Sequence, residues 1–433
     1  MVGGEKMRTK YIRNNSTLRA FDWGTRLGRS EKRSYYTVFD YPQELEYNNF
    51  YSIYKRNAIA NRIINAIPNS CWRDGVDIIS NGEKVRMTQM DTLKKLGLFE
   101  KIEKADILNR IGKFSVLFIG VPDGQDAETP LGVINPAQIK DIYFQPYAEN
   151  GIIISEYDEE PTSPRYGLPL IYSLSISTNS KSETVDFNSK RVHYSRVVHL
   201  AENSIDSEIE GHSSLEPIYN TILNLEKING SSAESFYRNA RGKYHFDIRD
   251  NFNGELSDAA KEQLKSDTQK FTDDYLDVMR TSGIDVEVLN TPIHSPKDTY
   301  DIEIQNISAS TGIPIRVLTG VGSGQLAGSE DRASFNQLIQ DRQKSFCTSV
   351  INDALKILVD CQAIEPFTLN EVVQFPLVDP LSEKEKAEIT HQYADTILKL
   401  SQALNDSNGI NGVIDEKEII EKVGLTYTGD VYE

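Results

Sequence analysis

The sequence predicts an α+β subunit, on three observations. Apolar residues at three- and four-residue spacing mark helices in the first hundred residues and again after residue 213. Between them, residues 112–200 hold short apolar runs rich in β-branched residues, separated by Gly, Pro, Asn and Asp, which is strand composition. A smaller strand–helix–strand stretch interrupts the later helical region. The chain has 433 residues, 39% hydrophobic and 26% charged, enough for a sizeable core and too apolar for a mostly disordered chain.

Taken in order, residues 1–39 read as a flexible basic arm, and residues 1–33 carry a net charge of +6. Helical character begins near Glu44, with Phe50, Ile53, Tyr54, Ala58, Ile59 and Ile63 in register, and Pro68 is expected to stop that helix. Asp91–Leu108 reads as a second helix. GKFSVLFIGV reads as a buried strand, and DIYFQPY, GIIISEY, LIYSLSI and RVHYSRVVHL as further strands. From Ser213 the period is helical again, opened by SSLE, a capping box of Ser213 and Glu216. The next turns hold Gly230, Ser231, Ser232 and Ala233, small residues that lower helix propensity and allow another backbone to come close.

KYHFDIR and IDVEVLN read as strands around a helix that carries Asp258, Asp273, Asp274 and Asp277, either a solvated face or an exposed docking module. A shorter helix, about Thr299–Thr311, ends at Gly312-Ile313-Pro314. The loop LTGVGSGQLAGS, residues 318–329, holds four glycines. A long helix is expected from Ser329 as N-cap to about Cys361, with Glu330 and Asp331 in its first turn. A strand over 367–375, an amphipathic helix from about 380 and a short final helix complete the chain. Residues 365–433 have a net charge of −9.

Several functions are disfavoured. A net charge of −17 argues against a simple cationic coat for nucleic acid. Cys71, Cys347 and Cys361 form no CxxC pair and read as buried reduced thiols. The longest uncharged run, Tyr166–Ser180, is fifteen residues and broken by Pro169, and the start lacks an apolar signal core, so an intracellular product without a membrane span is expected. The glycine loop lacks the GK[ST] of a P-loop, and Gln325 breaks GxGxxG. A mobile loop is the better reading, with nucleotide binding kept as the alternative. His193 and His199 would share a strand face, but no third metal ligand is apparent nearby. Nothing here requires an enzyme, a metal or a cofactor.

The order of these parts resembles the portal proteins of tailed bacteriophages. FDYPQELEYNNFYSIYKRNAIANRIINAIPNSCWRDGVDI is similar to the opening of that family, and HYSRVVHL with EGHSSLEPIYNTI to the strand before its stem helix. IQNISASTGIPIRVLTGVGSGQLAGSEDRASFNQLIQDRQ is similar to its most specific segment, and FPLVDPLSEKEKAEI to its crown start. The resemblance covers roughly residues 38–424 and implies a portal-like subunit. Its parts would be an α/β wing (40–212 and 330–378), a helical stem (213–242 and 299–313), a small α/β clip (243–298), a tunnel loop (314–329), and a helical crown with C-terminal tail (379–433).

The resemblance also implies partners. These are a homo-oligomeric ring, usually a 12-mer, at one capsid vertex; double-stranded DNA in its channel; the terminase large subunit; a head-completion or adaptor protein; and major capsid and scaffolding proteins. The ring would be assembled in the host cytoplasm and end in the virion. The tunnel loop would be Gly320, Val321, Gly322, Ser323, Gly324, Gln325 and Leu326. Arg316 or Arg332 would meet phosphate or a neighbouring subunit's acid. Residues Gly230, Ser231, Ser232 and Ala233 would let stem helices approach closely. A net acidic channel wall would repel phosphate, so that DNA slides rather than sticks. The alternatives are a nucleotide-binding enzyme using residues 320–328 and another phage head structural protein.

Overall fold

The computed structural model describes residues 35–175, 189–240, 244–248, 257–272, 284–288, 295–320, 325–376, 378, 391–392 and 395. The chain divides into two units, Met1–Gln374 and Phe375–Glu433. Residues 1–34 of the expected arm lie outside the described residues, as do most of those expected as crown helices.

In the first unit, α1 (Tyr35–Val38) is one turn, followed by α2 (Tyr47–Arg56) and α3 (Ala58–Trp72). The expected single helix ending at Pro68 is corrected in both respects. Its break is at Asn57, whose backbone is extended and whose side chain accepts hydrogen bonds from the N–H groups of Ile59 and Ala60. Asparagine is a strong N-cap, and satisfying two otherwise orphaned donors sets the new start. Pro68 lies inside α3. Proline costs a helix one N–H and crowds the preceding turn; burial of Ile63, Ile64, Ile67, Cys71 and Trp72 on the same helix offsets that cost.

Strands β1 (Asp77–Ser80) and β2 (Glu83–Val85) form a hairpin. The helix expected over Asp91–Leu108 is two, α4 (Met87–Lys95) and α5 (Leu98–Ile111), divided at Gly97, where φ is +77°. Next come β3 (Ser115–Gly120), β4 (Tyr143–Ala148), β5 (Ile152–Tyr157), β6 (Pro169–Ser175), β7 (Ser189–His193) and β8 (Val197–Leu200). They make two antiparallel sheets, in the orders β4-β3-β8 and β5-β6-β7. One core joins them, formed by Val116, Phe118, Ile152, Tyr172, Leu174 and Val192 among others. On its other face β3 buries Leu117 and Ile119, and α5 packs on β3 and β4. Because both faces are covered, β3 reads as a continuous apolar run.

RVHYSRVVHL, expected as one strand, is divided by a 3-10 turn at Tyr194–Arg196, and its halves belong to different sheets. His193 and His199 therefore share no strand face. The turn buries Arg196, whose guanidinium lies 2.6 Å from the Asp123 carboxylate. Burial alone would raise the pKa of Asp123, but the bond from Arg196 and the N–H groups of Gly132 and Gln125 outweigh it and hold it below the usual range.

His199 is held neutral. Its Nε2–H donates to the Ile209 carbonyl at 2.7 Å, which leaves Nδ1 to accept from the Tyr172 hydroxyl at 3.2 Å. Burial pushes its pKa below the usual histidine value. The unfolded chain, with an ordinary pKa near 6.5, then takes up a proton that the folded chain resists. Stability should therefore fall as pH drops through about 6.5. His199→Phe is expected to flatten the pH dependence of the urea midpoint between about pH 7 and 5. His193, also lowered by burial, contributes slope of the same sign.

A 3-10 turn, Glu216–Ile218, leads into α6 (Tyr219–Ala240). The expected capping box is half present. Ser213 Oγ accepts from the Leu215 N–H at 3.2 Å, but the Glu216 carboxylate lies 3.4 Å from His212 Nδ1. The helix proper begins only at Tyr219, so Glu216 is not at the position from which it would reach back. Strands β9 (Tyr244–Ile248) and β10 (Ile284–Val288) pair antiparallel, with α7 (Asp258–Thr272) between them in sequence.

Helix α8 (Lys297–Thr311) packs on α6. Then follow α9 (Ile315–Thr319), α10 (Gln325–Arg342), a π turn over Gln343–Cys347, α11 (Thr348–Asp360) and β11 (Glu371–Gln374), which pairs with β1. The long helix thus starts four residues before the expected Ser329 cap, which moves Glu330 and Asp331 into its second turn. Of the second unit, His391 and Asp395 are an i,i+4 pair 3.7 Å apart. No helix among the described residues is long and apolar enough to cross a membrane.

Candidate functional site

Helices α6 and α8 flank the β9–α7–β10 insert in sequence and lie side by side. Asn224 of α6 ties them by donating from Nδ2 to the Glu303 carboxylate at 3.0 Å. The expected small-residue stretch sits on α6 with Gly230, Ser231 and Ala233 exposed and Ser232 half-buried. A Cβ added at Gly230 would meet nothing within 4 Å among the described residues. Ser231 and Ser232, with Lys227, Ser235 and Thr299, line a cavity of about 400 Å³. One turn further on, Phe236 and Tyr237 are exposed.

The glycine-rich turn begins where α9 ends. Gly320 has φ +71°, a left-handed cap, and its N–H donates to the Arg316 carbonyl at 2.8 Å. Val321, Gly322, Ser323 and Gly324 lie outside the described residues. Gln325 and Leu326 open α10 rather than extend the loop. Arg316 Nε lies 3.2 Å from Asp331 of the same chain. Both side chains are partly exposed, and such a pair contributes at most about 1 kcal/mol. It joins α9 to the second turn of α10. Arg62 of α3 adds a bond from Nε to the Val317 carbonyl at 2.9 Å. Arg332, the other expected cation, is exposed on α10.

At its far end α10 is anchored by an ionic node that the sequence reading missed. Arg342 reaches Asp106 through Nη1 at 2.8 Å and Nη2 at 2.6 Å, and Glu202 through Nε at 2.7 Å and Nη2 at 2.9 Å. Trp72 Nε1 donates to Asp106 at 2.7 Å, and Arg110 lies 3.4 Å from Glu202. All are buried or nearly so. Burial opposes charge on Glu202, yet Arg342 and Arg110 prevail and keep its pKa below the usual range. Burial and the like charge of Arg342 lower that of Arg110. Arg110 Nε and Asn109 Nδ2 are buried without a hydrogen-bond partner. A cavity of about 690 Å³ opens over the node. The available signal was on α5, where Asp106, Asn109 and Arg110 interrupt a buried face carrying Leu98, Ile102 and Ala105. Polar side chains in a buried stripe need partners.

No group of three potential metal ligands occurs among the described residues. With this geometry in place, a model of the family described as phage portal protein matches residues 48–399. The chain belongs to the phage portal protein family. The matched range includes α6, α8, the glycine-rich turn and the node of this portal-family chain. No curated protein matches it.

Its fold is similar to chains in solved structures, among them these three. One is the neck of a native GTA particle computed with C12 symmetry, at 12% identity, covering 87% of this chain and 93% of that one with a TM-score of 0.55. Another is the neck of an empty GTA particle computed with C6 symmetry, at 13% identity, 92% and 96% coverage and a TM-score of 0.54. The third is the virion of a native gene transfer agent particle, at 13% identity, 94% and 99% coverage and a TM-score of 0.55.

Proposed function

We propose that this chain is the subunit of a twelve-membered ring at one capsid vertex, and that double-stranded DNA passes through the ring during packaging and ejection. The observation that carries this reading is the portal-family match over residues 48–399, since it spans nearly every described element. In this reading residues 40–212 and 330–378 form the wing, facing capsid and scaffolding proteins. Residues 213–242 and 299–313 form the stem. Residues 243–298 form the clip, which docks the terminase large subunit and later a head-completion protein. Residues 314–329 form the tunnel loop, and residues 379–433 the crown and tail.

Two features of the geometry support these parts. Helices α6 and α8 lie side by side and enclose an insert in sequence, as a stalk carrying a docking module requires. Gly230, Ser231 and Ala233 of α6 are exposed among the described residues, which suits contact with a neighbour in a closed ring of heterologous contacts. The C12 and C6 necks of similar fold fit a ring of this order. A net charge of −17 suits a channel that does not hold DNA.

Negative-stain microscopy of the purified protein is expected to show rings with a central hole and twelve subunits. A monodisperse monomer of 48.9 kDa that binds or hydrolyses nucleotide would overturn the proposal. Deletion of Gly322–Ala327 shortens the turn and removes the first residues of α10. It is expected to leave rings intact while abolishing DNA packaging or retention. Loss of ring formation would show instead that the segment is structural.

A further inference from the structure

Two of the three thiols meet at the ionic node. Cys71 lies on the buried face of α3 in its last turn, and Cys347 ends the π turn after α10. Their Sγ atoms each lie 3.6 Å from the same atom, Arg342 Nη1. Gln343 Nε2 donates to the Cys71 carbonyl at 2.9 Å, so the backbone of α3 is also held against the π turn. All three cysteines are free and buried in the subunit. Arg342 and Ser345 line the cavity of about 690 Å³, which brings solvent to within one side chain of the sulfurs.

We propose that Cys71 and Cys347 are a redox-sensitive dithiol, which oxidation closes into a disulfide stapling α3 to the end of the π turn. The thiolate is the nucleophile in such chemistry, and an adjoining guanidinium favours it. The two thiols are unequal. Hydrogen bonding with Cys347 lowers the pKa of Cys71 against the effect of burial, and Arg342 adds to the lowering. The same contact, with burial, raises the pKa of Cys347. Cys71 thus attacks first and Cys347 resolves. With a diazene oxidant such as diamide, the Cys71 thiolate adds to one nitrogen. Cys347 sulfur then displaces that nitrogen to form the S–S bond. The thiols lose two protons and two electrons in total, and the diazene gains both to become a hydrazine. A disulfide requires the sulfurs to close to about 2.0 Å, so they turn toward each other and Arg342 gives up its two sulfur contacts while keeping those to the carboxylates. The inference does not depend on the ring or on DNA.

The test uses the full-length protein, treated with diamide under native conditions, then denatured, alkylated and analysed by peptide mass spectrometry. The expected result is a Cys71–Cys347 disulfide peptide, with only Cys361 alkylated, against alkylation of all three residues before oxidation. Oxidation in urea should instead give mixed pairings that include Cys361, which separates native proximity from random collision. Cys347→Ser should leave Cys71 unable to form an intramolecular disulfide in the native state. Because that variant disturbs the node, the wild-type peptide map alone decides. Alkylation of all three thiols after native oxidation overturns the proposal. So does a native product in which Cys361 or a second chain supplies the partner sulfur.

Discussion

Arg342→Met is expected to cost the folded subunit about 3–5 kcal/mol, the cost of leaving buried charges without their partner. The substitution keeps much of the apolar stem and removes four charge-assisted bonds of 2.6 to 2.9 Å to Asp106 and Glu202. Arg110 remains near Glu202, but at 3.4 Å it compensates little. Arg342→Lys is expected to fall between, since an ammonium keeps the charge but cannot present a planar fork to two carboxylates. Urea unfolding at pH 7 measures both, and a loss under about 1 kcal/mol for Arg342→Met would show that the node is solvated.

The acid limb gives an independent reading. In the wild type the pKa of Glu202 is held below its unfolded value, so its contribution is complete above about pH 5 and lost as pH falls through the folded value. Without Arg342 only Arg110 opposes the effect of burial on that carboxyl, which is expected to rise above its unfolded value. The sign then reverses, and mild acid should recover part of the lost stability.

How much of this was legible in the sequence depends on the range of each interaction. Strand β3, the β9–α7–β10 insert and the helix ending at Gly312 were readable because their signals are local: an apolar run, alternating elements, a cap glycine. The break at Asn57 was overlooked in favour of Pro68. Only tertiary burial decides whether a proline is tolerated, and a single asparagine cap sits inside an apparently continuous stripe. The strand 191–200 misled for a related reason. Its composition is uniform, and the turn that divides it is fixed by Arg196 reaching Asp123, 73 residues away.

The ionic node was the least visible feature. Arg342 meets Asp106 across 236 residues and Glu202 across 140, and no periodicity connects such positions. Gly320, which ends α9, was evident from composition as part of a glycine-rich stretch, whereas the pairing of Arg316 with Asp331 joins two elements and leaves no local signal.

Gly211→Ala is expected to be the most damaging glycine substitution in the described chain, costing about 3 kcal/mol, at the upper end for overpacking. An added Cβ would stand 1.8 Å from the Glu202 carbonyl oxygen and 2.9 Å from its carbon. Gly120→Ala is the control, because its Cβ would also stand far inside contact distance, 2.1 Å, from the ring of Tyr143. That ring lies across the glycine in register on β4 and is 58% exposed, so it can swing into solvent at a cost of about 1 kcal/mol or less. The Glu202 backbone has no such freedom. Its carbonyl accepts from the His212 N–H at 3.3 Å, and the Gly211 N–H is bound to the Lys113 carbonyl at 2.9 Å.

Relief at Gly211 must therefore move Glu202, and its carboxylate is one of the two that hold Arg342. The two substitutions should act on the same interaction. Arg342→Met combined with Gly211→Ala is expected to lose less stability than the separate losses added together, with a coupling of about 1 kcal/mol or more in a double-mutant cycle. Strict additivity would mean that the 201–212 segment and the end of α10 are held independently. The glycine would then be required by the loop alone, not by the node that anchors the helix leading from the glycine-rich turn.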